Sequence, residues 1–402
     1  MPRISVIIPT RERCGTLKYA LKSVTAVDDD ALEILVSDNA SRDETRDVVE
    51  AANDPRIRYV NTGERMGMSQ NWEFALSRAS GDWVGFIGDD DAILPGGIAR
   101  LRQVMSDGRS DAVRMASCHY DWPSARNMQA GSLIVPVEKS LRLLRTKPEL
   151  AKVLEARSVY SSLPGLYHGR FAKRSLIEAA RAPNGRFFNS QIPDIYSAII
   201  LALKSERYVA SDMPVAIHGL SASSTGLSFL DHGTENERNN LAHMFVQESH
   251  VPLHAKLAVT DQANQIKTFH LLVIDAMLQA QDAHGDLPAL DPLRLLQGGI
   301  IAAKDAPWVS DWARRFAAAN GIPIGTIDDG MWRLRARHFL WKLGLFLNNT
   351  DWNSVRAPRL RLANVAVAAR VAERVWQAAP SPTANRVMNV GRRLRERLGA
   401  IS

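Results

Sequence analysis

Residues 86 to 91 read Phe-Ile-Gly-Asp-Asp-Asp, so three carboxylates stand in a row behind the apolar lead Trp83-Val84-Gly85-Phe86-Ile87. Adjacent like charges repel, and water or a cation must offset them. A solvated loop is one reading. A divalent cation is the other, because Mg²⁺ and Mn²⁺ take oxygen ligands and often sit on one or two carboxylates plus substrate phosphates. Polar groups follow other apolar runs in the same way. Pro9, Thr10 and Glu12 come after Ile4-Ser5-Val6-Ile7-Ile8, and Asp38-Asn39 come after Ile34-Leu35-Val36-Ser37.

These groups act together only if the chain brings its strand ends to one edge. The first hundred residues alternate the two periodicities that would do so. Strands are expected at 4–8, 33–37, 56–60 and 82–87, with helices at 13–24, from Ser41 to about 52, at 68–79 and at 95–105. Ser41-Arg42-Asp43-Glu44 has the form of a capping box, which would leave Asp38 free of a capping role. A βαβαβαβ order implies a mainly parallel, Rossmann-like α/β sheet. Ligands bind beyond the carboxyl ends of such strands, which is where Thr10, Glu12, Asp38 and Asp89–Asp91 would stand. No GxGxxG follows the first strand and no GxxxxGK[ST] occurs, so a nucleotide here is not held by a phosphate loop of either kind. A further strand is expected at 111–117, a strong helix from 191 to 203, extended chain at 208–217, and helical periodicity after about 231.

With 402 residues the chain has room for two or three domains. Two cysteines make no disulfide framework. The N-terminal apolar run is too short for a signal peptide, and no stretch of about 18 apolar residues occurs. Cytoplasmic residence is the default expectation. The formal charge is +7, yet residues 331–402 hold 14 Arg and Lys against 3 Asp and Glu, so the first 330 residues are net negative. A basic tail suits an anionic partner.

In their order and spacing, SVIIPTRER, LVSDNAS, GMSQNWEFALSRASGDWVGFIGDDD and ILPGG resemble family 2 glycosyltransferases of the GT-A fold. The resemblance implies a catalytic GT-A domain over 1–230 and a mainly helical C-terminal domain, with the basic tail, over 231–402. It implies an inverting transferase that moves a sugar from a nucleotide-diphosphate sugar, UDP-linked by expectation, to a hydroxyl on a glycan or glycolipid in cell-surface polysaccharide or glycolipid synthesis. Mn²⁺ or Mg²⁺ would be the cofactor, and no nucleic acid is expected. Pro9, Thr10 and Glu12 match the start of the nucleotide site, and Asp38 the carboxylate that accepts from the base. Met66, Gly67 and Asn71 match the segment over the ribose and phosphates. Asp89, Asp90 and Asp91 match the metal loop, although many relatives have an acid where this chain has Gly88. Asp91 is the expected metal ligand, with Asp89 nearer the ribose and Asp90 steadying the loop. His218 matches a loop histidine that closes on the metal or diphosphate, and Ser221 and Ser224 would donate to phosphate oxygens. Asp194 matches the acid that serves as general base.

Each assignment has a plainer rival. Asp194 opens a helix, where Asp is stabilising without any chemistry and where the dipole would lower its pKa. His218 also fits an ordinary loop. Asp121, Glu178 and Asp212 are further candidates for the base. Trp122, Tyr160 and Tyr167 fit either a sugar-stacking surface or core. Residues 331–346 carry apolar stripes on two sides among basic residues, which suits either an anionic membrane surface or burial between partners. Two other functions remain open: a nucleotidyltransferase acting on sugar phosphates, and a non-catalytic nucleotide-sugar binding protein.

Overall fold

The computed structural model describes residues 1–125, 130–224, 248–260, 269–303, 306–336, 339, 354–356 and 362–379. The chain opens with β1 (Ile4–Thr10), α1 (Cys14–Thr25), β2 (Leu32–Asp38), α2 (Thr45–Ala51), β3 (Ile57–Asn61), α3 (Met68–Arg78) and β4 (Trp83–Phe86). It continues through β5 (Ala92–Ile93), α4 (Gly97–Met105), β6 (Ala112–Asp121), β7 (Leu133–Pro136), β8 (Leu141–Arg145), α5 (Thr146–Leu154), β9 (Arg170–Lys173), α6 (Arg174–Ala179), α7 (Pro193–Lys204) and β10 (Arg207–Leu220). Beyond them lie α8 (Phe269–Ala283), α9 (Pro292–Ala303), α10 (Val309–Ala319), β11 (Ser354–Arg356) and α11 (Val365–Ala378).

One sheet runs in the order β11-β7-β6-β9-β4-β1-β2-β3, with β10 beside β6, β5 and β8. Its β4-β1-β2-β3 part is parallel, as the alternation implies. The other side is mixed, since β9 is antiparallel to both β4 and β6. β1 and β2 are buried on both faces, which matches their largely apolar runs, each interrupted by one buried polar residue, Ser5 and Glu33. Register sets the edge that matters: Thr10 lies beside Asp38, and Asp38 beside Asn61. β4 pairs with β1 as far as Phe86 and Ile7, so residues 87–91 run out past Pro9 and Thr10.

α2 begins at Thr45, four residues after the expected cap. The capping box does not form, because Ser41 is engaged elsewhere. Its hydroxyl accepts from Glu12 N at 2.8 Å, and Asp43 accepts from Thr45 N at 3.1 Å in its place.

Three apolar clusters fill the fold. One lies under α3, α5 and α7 and continues into α8, α9 and α10. A second packs α1 and α4 on the sheet. The third joins Tyr120, Trp122, Leu133 and Val135 to Leu362, Val365, Ala368, Ala369 and Ala372. α11 therefore returns from the far end of the chain to the N-terminal sheet. Glu373 seals it there by pairing with Arg100 at 2.7 Å, both side chains 8% exposed. Of residues 331–346, those from 337 on lie outside the described residues apart from 339, while 331–336 are helical.

Candidate functional site

The ends of β1 and β2 are tied into one wall. Glu12 holds a left-handed backbone, φ +52°, and its carboxylate accepts from Arg42 N and Asp43 N at 3.0 and 3.2 Å. A residue other than glycine keeps that conformation only where its surroundings over-determine it. Cys14 N donates to Asp43 across the same seam. Asp38 is buried behind the wall, where Oδ2 accepts from Tyr59 and Asn61 at 2.6 and 2.8 Å and Oδ1 from Ser41 N at 3.0 Å. Asn39, the next residue, faces outward and brackets the backbone of Met66 with bonds of 2.7 and 2.8 Å. Asn71, at the start of α3, accepts from Ser37 at 2.7 Å. Gly67 is glycine because a Cβ would come within 2.7 Å of the carbonyl of Glu248. Glu248 in turn pairs with both Arg11 and Arg65.

The acidic run folds into a tight loop in which each carboxylate faces differently. Asp89 accepts from Thr10 Oγ1 at 2.8 Å and pairs with Arg13 at 3.2 Å. Burial pushes its carboxyl up to about 6, against the pull of Arg13 and aided by the charge of Asp90, so it is ionised at neutral pH. Asp90 takes the hydroxyls of Ser221 and Ser224 on Oδ2. Those serines were expected on phosphate oxygens; here they steady the acidic loop. Asp91 is fully buried and receives Gly88 N at 2.6 Å on Oδ2 and Gly219 N at 2.7 Å on Oδ1. Burial still holds its carboxyl above the usual range. Gly88 stands where an acid was awaited because a Cβ would meet the Tyr167 hydroxyl at 2.9 Å and Asp90 Oδ1 at 3.0 Å.

A bridge from Phe86 to Tyr167 lays the turn before β9 along this loop. Tyr167, His168 and His218 stack there, with ring centroids 3.5 and 3.9 Å apart in succession, and His119 meets His218 edge-on. Desolvation lowers the pKa of His218 to about 3, so its ring is neutral. On the facing side Asp194 opens α7 and accepts from Tyr160 at 3.1 Å. Its pKa is raised, not lowered as its helix position suggested, because burial outweighs the Tyr160 bond and the Arg170 charge.

Together these groups line a cleft of about 760 Å³. It takes in Pro9, Thr10, Glu12, Asn71, Asp89, Asp90, Asp194 and His218 among the expected residues. Asp38, Gly67 and Asp91 stand behind its walls. Asp121, Glu178 and Asp212 do not reach it, and Trp122 is core, with its indole N–H on the carbonyl of Asp90 at 2.9 Å. A smaller groove of about 490 Å³ adjoins it, lined by Asn39, Ser41, Arg42 and Asn61 at the ends of β2 and β3. Sequence reasoning passed over Arg13, Arg65, His119, His168 and Glu248. Their only signal was charge or an imidazole, and they converge through contacts distant in sequence.

Among the described residues, no three His, Cys, Asp or Glu side chains form a group that could hold a metal ion alone. A cation shared with a diphosphate needs fewer protein ligands. The donors here suit it: carboxylate oxygens, imidazole nitrogens, and a buried His168 Nε2 with no hydrogen-bond partner.

Residues 5–179 match the model of glycosyl transferase family 2. Over 111 residues the chain is 40% identical to the GalNAc(5)-diNAcBac-PP-undecaprenol beta-1,3-glucosyltransferase of Campylobacter jejuni, covering 27% of this chain and 36% of that protein. It is 33% identical over 114 residues to the abequosyltransferase RfbV of Salmonella typhimurium, covering 27% and 34%. The matched segments thus span about a third of the length of these relatives. The S. aureus TarS 1–349 structure in complex with UDP-GlcNAc superposes over 80% of this chain and 93% of its own, at 14% identity and a TM-score of 0.46, too loose to carry an argument.

Proposed function

From the match of residues 5–179 to glycosyl transferase family 2, we propose that this chain is an inverting transferase of that family with a GT-A fold. It moves a sugar from a nucleoside-diphosphate donor, with uridine as the nucleoside, to a hydroxyl of a glycan or lipid-linked glycan. The observation that carries this reading is the cleft itself. It sets the strand-end groups Thr10, Glu12 and Asp89 on one side and a half-buried, raised-pKa carboxylate, Asp194, on another. The Campylobacter relative is named for a polyprenyl-diphosphate-linked glycan, and that supports a lipid-linked acceptor here.

The nucleoside rests in the groove beside Asn39, between the ends of β1, β2 and β3. Asp38 serves it from behind by fixing Tyr59, Asn61 and the Ser41 amide. Pro9, Thr10, Glu12, Gly67 and Asn71 frame the ribose and phosphates, with Asp89 toward the ribose and Asp90 braced by its serines. Asp91 and His218 would hold a divalent cation, which would offset charge on the leaving diphosphate. Asp194 takes the proton from the attacking hydroxyl as that oxygen bonds to the anomeric carbon. The bond to the diphosphate oxygen breaks with its electron pair, and configuration inverts. Burial makes Asp194 a stronger base than a carboxylate in water, provided it is ionised.

Residues 1–230 form the catalytic unit in this proposal and 231–402 the second, with α11 a part of the second that docks on the first. No helix among the described residues is long and apolar enough to cross a membrane. Contact with an anionic membrane surface would run through Ile324, Trp332 and Phe339, exposed at 66, 68 and 65%, beside Arg333 and Arg335.

The test is Asp194→Asn. It keeps the shape and removes the proton acceptor, so donor binding should persist while turnover falls about 10²-fold or more. In the parent, kcat should drop as pH falls through the raised Asp194 pKa. A variant that binds donor and still transfers sugar at near-parental rates refutes the assignment.

A further inference from the structure

His168, like Glu12, holds a strained backbone at the cleft. It is left-handed at φ +52°, and Gly169 follows at φ +83°. A residue with a Cβ keeps that conformation only when neighbours enforce it. They do: Ser117 Oγ donates to His168 O at 2.8 Å, and Met115 N donates to Gly169 O at 2.9 Å. Tyr167 and His218 then clamp the ring from both sides. All of this aims one atom. Nε2 is buried, lacks a hydrogen-bond partner, and stands 3.2 Å from Asp91 Oδ2.

A buried polar nitrogen without a partner is costly and calls for an explanation. Two adjacent ligands of an octahedral cation with bonds of about 2.1 Å lie roughly 3.0 Å apart. The Nε2–Oδ2 separation fits that spacing, and the Asp91 carboxylate, with Gly88 N, Gly219 N and the Tyr167 hydroxyl on its roughly four lone-pair sites, keeps one for a cation. We propose that His168 is a direct ligand of the divalent cation and shares it with Asp91. This rests on the cation assigned above and adds a ligand to it. An imidazole also biases the site, since nitrogen ligands favour Mn²⁺ over Mg²⁺. The turn before β9 therefore tunes which ion the acidic loop accepts.

The experiment uses the full chain and Mn²⁺ alone, followed by loss of the free-ion electron paramagnetic resonance signal and by spin-echo modulation of the bound ion. The parent should show ¹⁴N modulation from imidazole. His168→Gln should bind Mn²⁺ at least about tenfold more weakly, since even outer partners of metal ligands cost that much. His218→Gln should keep a ¹⁴N signal. Bound Mn²⁺ without ¹⁴N modulation in the parent overturns the proposal even if a variant fails to fold. So does a signal that His218→Gln abolishes, or His168→Gln binding as the parent does. A parent that binds no Mn²⁺ at all overturns the cation assignment as well, and so separates the two failures.

Discussion

Glu373→Ala should destabilise the protein by about 3–5 kcal/mol, although it lies far in sequence from the cleft. The carboxylate takes Arg100 Nη1 at 2.7 Å and Nη2 at 2.9 Å, and also Gly96 N at 3.2 Å and Gln377 at 3.0 Å. Truncation leaves the buried guanidinium with two unpaired nitrogens, and that uncompensated charge supplies most of the cost. Two contacts survive and favour the lower end of the range: Arg100 Nε on the Pro214 carbonyl at 2.9 Å, and the Trp376 ring 4.2 Å from the guanidinium. The assay is urea unfolding with linear extrapolation. Replacing both partners by Met removes charge and partner together, and should return stability to within about 1–2 kcal/mol of the parent. The loss should reach the site too. α11 packs on Trp122, whose indole holds the carbonyl of Asp90, so nucleotide binding should weaken in Glu373→Ala. Stability within about 0.5 kcal/mol of the parent would refute the view that this pair seals α11 to the sheet.

Two further outcomes are expected. Glu33 is wholly buried under hydrogen bonds from Ser5, Ser80 and Arg58, which overcome desolvation and hold its carboxyl at about 2. A pKa depressed on folding contributes stability that is full above the unfolded value and is lost as pH falls toward 2; Glu33→Gln should therefore flatten the acid dependence measured between about pH 5 and 2. Trp332→Ser with Phe339→Ser should reduce co-sedimentation with anionic vesicles several-fold at unchanged thermal midpoint, and equal sedimentation would end the membrane assignment. Point variants serve better than a cut after residue 330, which would also remove α11 from the core it completes.

The wall made by β1, β2 and β4 was legible because fully buried parallel strands leave largely apolar runs, and their ends mark the rim. Thr10, Glu12 and Asp89 could be read for that reason, and Asp194 from its place at the start of a strongly periodic helix. The mixed half of the sheet could not, since β9 inserts between β4 and β6 by contacts distant in sequence. The same distance hid His168, and left Tyr167 open between a sugar-stacking surface and core, because their place depends on a turn with no periodic signature. α11 was obscured by composition: its small residues pack the third core, but they sit within a strongly basic tail. Ser221 and Ser224 bond the carboxylate of Asp90, a partner the sequence did not indicate, because a hydroxyl near an acidic loop serves either phosphate or carboxylate. The pKa of Asp194 moved opposite to the helix-dipole expectation because burial, which sequence does not reveal, outweighs the dipole.

The central claim is that this cleft holds a nucleoside diphosphate through the acidic loop and a divalent cation. Calorimetric titration of the full chain with UDP, with and without Mn²⁺, tests it most directly. Saturable binding that needs Mn²⁺ and is abolished by Asp91→Asn is the result predicted. UDP affinity that is the same with and without Mn²⁺, or unchanged in Asp91→Asn, would contradict it.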